Sequence, residues 1–282
     1  MTLPGGTFTM GAPIDCAMSP NDPTCAWLGT PPVPGVEVAP FDLDRYEVTV
    51  ARFRAFWSAR SVDGGAATRS VPVRYPNGVS LAWTSTPQAP DMVMGCNWSL
   101  TPGTRESHPM NCIDWWMAQE FCAWDGGRLP TEAELEFASR GWSVPSEGLQ
   151  SGRIYPWGDV PPEGNSGRVC DRAHINECAG EDGALTRRVG QFAATGGIYD
   201  LAGNVWEWAA DRFLPVGSRS ACWGSTINPF CSVSGPTGRA ARSGSFSNIQ
   251  EAVAFIRGAS RTDHRETDRS TNIGFRCVRA AP

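Results

Sequence analysis

The sequence predicts one α+β domain, irregular and rich in loops, on three observations. It holds 31 Gly and 23 Pro in 282 residues, a density of turn formers that leaves little room for long helices. Helical periodicity is confined to three short stretches in the first half of the chain. Beyond them, regular pattern survives only as brief strand-like pieces set among aromatic residues.

The elements follow in order. Residues 5–10 (GGTFTM) alternate and read as a strand, and 11–40 hold a first cysteine pair and the loop PPVPG. A second strand is predicted over 41–48, where Phe41 and Leu43 alternate with Asp42 and Asp44. Thr49 caps a helix to about residue 57, with Val50, Phe53, Phe56 and Trp57 on one face. Residues 61–110 read as a long polar loop region. Asp114 is the N-cap of the next helix, WWMAQEFCAW, which Gly126–Gly127 stop in the left-handed conformation. Thr131 and Glu134 form a capping box for PTEAELEFASRG, with Leu135 and Ala138 as its apolar stripe. The segments 155–159, 197–213, 242–246 and 272–279 are strand or turn pieces around a shared core.

Composition excludes several functions. All 24 cationic side chains are Arg, so chemistry built on a Schiff-base lysine or a P-loop lysine has no residue to use. Net charge is −5 without a basic block, which leaves nucleic-acid binding no electrostatic footprint. No run of 18 apolar residues is present, so no membrane span is expected. MTLPGGTFTMG lacks a charged segment followed by an apolar one, so no export signal is expected within this sequence.

The cysteines argue for export all the same. There are ten, eight of them in close pairs: Cys16/Cys25, Cys96/Cys112, Cys170/Cys178 and Cys222/Cys231. None forms CxxC, so zinc is not indicated, and disulfides in an extracytoplasmic protein (periplasmic, secreted or surface-tethered) are the expectation.

The series GGTFTMG, DRYEVT, HPMNCIDWWMAQEFCAW, GGRLPTEAELEFASRG, YPWGD, YDLAGNVWEWAADRF, RSGSF and NIGFRC resembles the formylglycine-generating enzymes (the sulfatase-modifying factor family) in content and order. The resemblance covers nearly all of residues 1–282 and implies one compact, irregular domain related to C-type lectin folds, often stabilised by calcium. In GNVWEW, an amide and a carboxylate three residues apart on a turn offer oxygen ligands of the kind Ca²⁺ takes. The resemblance implies Asn204, the Val205 carbonyl, Glu207 and the Ala209 carbonyl as that ion's ligands. On the residues alone, Asn204 and Glu207 could equally brace the turn while Trp206 and Trp208 fill the core. The family's other calcium site is matched only in half: Asp182 and Ala184 fit, but no Asn stands near His174–Ile175.

Family enzymes oxidise a substrate cysteine with O₂ and copper held by two cysteines, since soft thiolates suit Cu(I). In this chain those two positions are Asn248 and Val253, and no Cys lies between Cys231 and Cys277. Copper is therefore not expected. The resemblance also implies a long-range Cys122–Cys277 disulfide, worth roughly 4–5 kcal/mol in the chain-entropy model. A second family disulfide falls on Ser139 and Gly258, both halves lost together. Cys122–Cys277 and the four local pairs account for all ten cysteines.

Ser245 matches an active-site serine of the family, but with no base assigned to it a strand serine bonded to backbone is the expected role. His108, His174 and His264 are scattered, and the iron-binding helical domain of related sulfoxide synthases has no room here. In the variable proteins of diversity-generating retroelements, ligands are contacted by the region matching 255–272. Here it holds Arg257, Arg261, Asp263, His264, Arg265, Glu266, Asp268 and Arg269. A solvated loop of cancelling charges is the competing reading. The functional expectation is a non-catalytic binding or structural protein on a calcium-stabilised scaffold, with a protein or peptide ligand. The alternative is a modifying enzyme of the same superfamily that uses residues other than cysteine.

Overall fold

The structure is a computed structural model. It describes residues 1–12, 32–62, 69–85, 88–161, 168–175, 178, 184–214, 222, 225–233, 238–247 and 254–281. Among these residues, two small sheets and two hairpins accompany three α-helices. The first sheet pairs β1 (Thr2–Leu3) and β11 (Val278–Ala280) to either side of β4 (Phe41–Leu43), both antiparallel. The second has the order β10 (Ile273–Gly274), β7 (Trp206–Arg212), β8 (Arg239–Arg242), β9 (Arg261–His264), with β10 parallel to β7. The hairpins are β2 (Gly6–Met10) with β3 (Val33–Val38), and β5 (Arg69–Arg74) with β6 (Ser80–Ser85).

The helices start where local chemistry places them. In α1 (Val50–Val62) the Thr49 hydroxyl accepts the Arg52 N–H at 3.3 Å. In α2 (Trp115–Trp124) the Asp114 carboxylate accepts the Met117 N–H at 2.9 Å, and Gly126 ends the turn at φ +80°. The Thr131–Glu134 capping box opens α3 (Glu132–Glu136), which continues as a π-helical turn over Phe137–Gly141.

Three expectations change. The strand predicted over 41–48 stops at Leu43, because Asp44 turns its carboxylate onto the Cys277 N–H, Arg52 and Arg279. Helix α1 runs past residue 57, carried by the buried Arg60–Glu120 pair that ties it to α2 at 2.7 Å. The polar region 61–110 is not all loop. It holds β5 and β6, joined by a Pro76–Asn77–Gly78 turn in which Gly78 takes φ +86°.

The main core gathers Phe53, Phe56, Trp115, Phe121, Trp208 and Phe275, and a second cluster packs Phe8, Phe41 and Phe137. Four of the expected disulfides are present: Cys96–Cys112, Cys122–Cys277, Cys170–Cys178 and Cys222–Cys231. Cys16 and Cys25 lie outside the described residues. Among those described, no helix is long and apolar enough to cross a membrane.

Candidate functional site

The GNVWEW turn is built on close approach. A Cβ on Gly203 would lie 2.5 Å from the His174 carbonyl oxygen, and Gly203 and Asn204 both take positive φ (+79° and +61°). Asn204 Oδ1 accepts the Arg187 N–H at 3.0 Å, and its amide Nδ2 donates to Glu47 at 2.6 Å. The Ala209 carbonyl accepts the Trp115 indole N–H at 2.8 Å. Both Glu207 oxygens take a guanidinium fork from Arg276, at 2.6 and 2.7 Å and with neither side chain exposed. The oxygens of Asn204, Glu207 and Ala209 therefore serve protein donors, while Trp206 and Trp208 enter the core.

Earlier on the same loop, an unmet oxygen stands out. Asp200 is buried at φ +55°, its Oδ2 accepts the Gly190 N–H at 2.7 Å, and its Oδ1 has no partner among the described residues. Burial, opposed by the Gly190 N–H and Arg276 and assisted by Glu207, pushes Asp200 up to about 6. Burial also raises Glu47 well above the carboxylate range, with Asp200 and Glu207 adding to the shift, and it raises Glu207. Three buried carboxylates thus face one guanidinium, Arg276. Hard oxygen donors with a surplus of negative charge fit Ca²⁺. Glu207 is already committed to Arg276, so Asp200 Oδ1 is the one carboxylate oxygen of this cluster that meets no donor among the described residues. Asp182 lies outside the described residues, and its companion Ala184 is buried.

Ser245 follows a strained corner, with Ser243 at φ +85° and Gly244 at +70°. It is fully buried, and its hydroxyl meets that of Ser247 at 2.9 Å and the Ser247 N–H at 3.3 Å. The Asn272 amide donates to the Ser247 hydroxyl at 2.8 Å, and the Ser270 hydroxyl donates to Asn272 at 2.5 Å. This run of neutral polar groups can hold a hydroxyl or peptide group but supplies neither a base nor a soft ligand. Asn248 and Val253 lie outside the described residues, and every described cysteine is in a disulfide. Among the described residues, no pair of free thiols is present to hold copper as a dithiolate. Ser247, Asn272, Asp200 and Glu47 were not picked out from sequence, although Glu47, Asp200 and Asn272 sit inside the quoted motifs.

The charged segment 255–272 divides. Arg261 is a correction: it is not a surface group but fully buried, its guanidinium clasping Glu132. Glu132 also meets Arg242 at 3.3 Å, and Arg242 meets Glu136 at 2.8 Å, so Arg261 belongs to an internal ion-pair network. Asp263 and Arg265 face solvent, Arg265 pairing with Asp268 at 3.0 Å. Arg269 joins Asp91 at 2.8 Å, His264 packs edge-on to Trp208, and Arg257 is half-buried.

A loop-rich α+β domain whose terminal strands β1 and β11 flank β4 is shared with formylglycine-generating-enzyme-like proteins. The chain belongs to the sulfatase-modifying factor enzyme 1-like domain family, which matches residues 1–281. It is 34% identical to a formylglycine-generating enzyme of Thermomonospora curvata, over 99% of this chain and 92% of that one. It is 30% identical to the mouse (Mus musculus) inactive C-alpha-formylglycine-generating enzyme 2, over 99% of this chain and 85% of that one. Its fold is similar to the structure of PvdO from Pseudomonas aeruginosa, with a TM-score of 0.66 and 24% identity over 100% and 94% of the two chains.

Proposed function

We propose that this chain is a family member that does not oxidise cysteine with copper and acts as an extracytoplasmic binding protein on a calcium-stabilised scaffold. One observation carries the reading: Asn248 and Val253 occupy the copper-ligand positions, with no cysteine between Cys231 and Cys277. Neither an amide nor a valine methyl can hold Cu(I) as a thiolate does. The four disulfides support an oxidising compartment. The family includes relatives described both as generating enzymes and as inactive. The Asp200 oxygen that meets no donor among the described residues supports calcium, with Asp200 as a side-chain ligand. The ligand of the binding protein is read as a protein or peptide.

A second reading, a modifying enzyme of other chemistry, is favoured by the hydroxyl and amide run from Ser245 through Ser247 and Asn272 to Ser270. Incubation of the protein with a CxPxR peptide, copper and O₂, followed by hydrazide capture, tests the main proposal. The expected result is no aldehyde; aldehyde at catalytic turnover would overturn it.

A further inference from the structure

A cavity of about 580 Å³ opens between the end of α2, the β5–β6 hairpin and the outer edge of β11. It shares no lining residue with the Ser245 or Asp200 clusters. Its walls are runs of consecutive backbone, among them Pro72–Pro76, Gly126–Arg128 and Val278–Ala280. Strand edges therefore border it.

The hydrogen-bonding directions along β11 say which groups face in. Val278 sends both its N–H and its carbonyl away from β4, to Arg128, at 2.9 and 3.0 Å. In an antiparallel ladder these directions alternate, so Ala280, two residues on and opposite Phe41, points the same way. Among the described residues no backbone group meets Ala280 there. The cause is local: Gly126, which would extend the Arg128 pairing, sits at φ +80° and gives its N–H to Ala123 as α2 ends. The ladder is cut short by a helix cap, and an open strand edge is left over a cavity. Across it, among the described residues, β5 is paired only to β6.

The side chains add a charge preference. On the wall, Arg128 is bidentate to Glu134 at 2.6 and 2.8 Å and lies 5.1 Å over the Tyr75 ring, so its charge is already matched. Arg279, partly exposed, is matched by Asp44 and Asp125. Arg74 is different: it is exposed at the rim, with no ion-pair partner among the described residues. The remaining walls, Pro40, Pro72 and Val73, are apolar.

We propose that this cavity binds an extended acidic peptide segment of a partner protein, added as a strand to β11 at Ala280 with a carboxylate on Arg74. Main-chain pairing supplies affinity in such a mode, and alternate side chains enter flanking pockets to supply specificity. The inference stands apart from the reading of the Ser245 and Asp200 clusters and survives or fails separately.

The test uses the full chain and fluorescein-labelled Val-Glu-Val-Glu-Val and Val-Lys-Val-Lys-Val peptides, read by fluorescence polarisation. The acidic peptide is expected to bind and the basic one not. Arg74→Glu is expected to weaken binding about tenfold. Ala280→Pro deletes an N–H that β4 does not use, so it should weaken binding about tenfold while leaving the melting curve unchanged. Amide exchange at Ala280, slowed by the peptide in the unsubstituted protein, gives the same answer without a variant. Equal binding of both peptides, unaltered affinity or exchange at Ala280, displacement by equimolar sodium glutamate, or no binding at millimolar peptide would each overturn the proposal.

Discussion

Ser139 Oγ lies 2.8 Å from the point where a side chain on Gly258 would place its Cβ. These are the two positions at which the family resemblance puts a second long-range disulfide, and the fold holds them in contact although neither is cysteine. The Ser139 hydroxyl is buried there without a partner among the described residues. The double substitution Ser139→Cys, Gly258→Cys should form a bridge, with a small displacement of the Arg140 side chain that also crowds Gly258. Because Cys122–Cys277 already joins the chain nearby, the new circuit closes only about 36 residues, worth roughly 3–4 kcal/mol rather than the value for the full span. Denaturation of the oxidised and reduced double variant measures the difference; a bridge that forms and gives none would refute it.

The Glu207–Arg276 pair is expected to behave as a buried charge pair. Arg276→Ala leaves Glu47, Asp200 and Glu207 without their shared counter-charge and should cost about 3–5 kcal/mol. Glu207→Gln combined with Arg276→Gln should cost less than the sum of the single changes, since each removes the other's partner. Urea midpoints of the four proteins give the coupling directly.

Calcium should raise the melting temperature, and more so at pH 7.5 than at pH 5. Asp200 is pushed up to about 6, so at the lower pH a proton competes for the oxygen the ion needs. Saturation at about a thousand times Kd corresponds to ~4 kcal/mol. Asp200→Asn should remove most of the response. Identical melting curves in calcium and in chelator at pH 7.5 would rule the ion out.

Asp211 gives a pH signature of the opposite kind from an ordinary salt-bridged carboxylate. Burial, then the neighbouring Glu132, pushes it up to about 7, against the N–H groups of Cys231 and Glu132 that it accepts. Its folded value lies above its unfolded value near 3.8. The stability it contributes is therefore complete below about pH 4 and is lost as pH rises through about 7. The unsubstituted protein should lose stability relative to Asp211→Asn between pH 5 and pH 8, and parallel curves for the two would contradict this.

Local signals were legible in the sequence and long-range charge pairing was not. Asp114, Thr131 and Gly126 mark helix ends because a cap needs only the residues within one turn of it, and all three act as expected. The β5–β6 hairpin announced itself in Asn77–Gly78, but Pro72 inside β5 obscured the alternation. The acidic cluster joins Glu47 to residues more than 150 positions away, a convergence that no spacing encodes. Arg261 misled for a related reason. Among Asp263, His264 and Arg265 it resembles a solvated charge, and its partner Glu132 lies 129 residues earlier.

The placement of β1 and β11 on either side of β4 has a mechanical meaning. Both run antiparallel to the middle strand, so they are parallel to each other. Tension drawn outward from Thr2 and Ala280 would load their ladders in shear, several hydrogen bonds at once, rather than peel them apart singly. Inward of that clamp, Cys122–Cys277 ties the residue just before β11 to α2 covalently. A domain tethered through both ends would bear pulling force first at this seam.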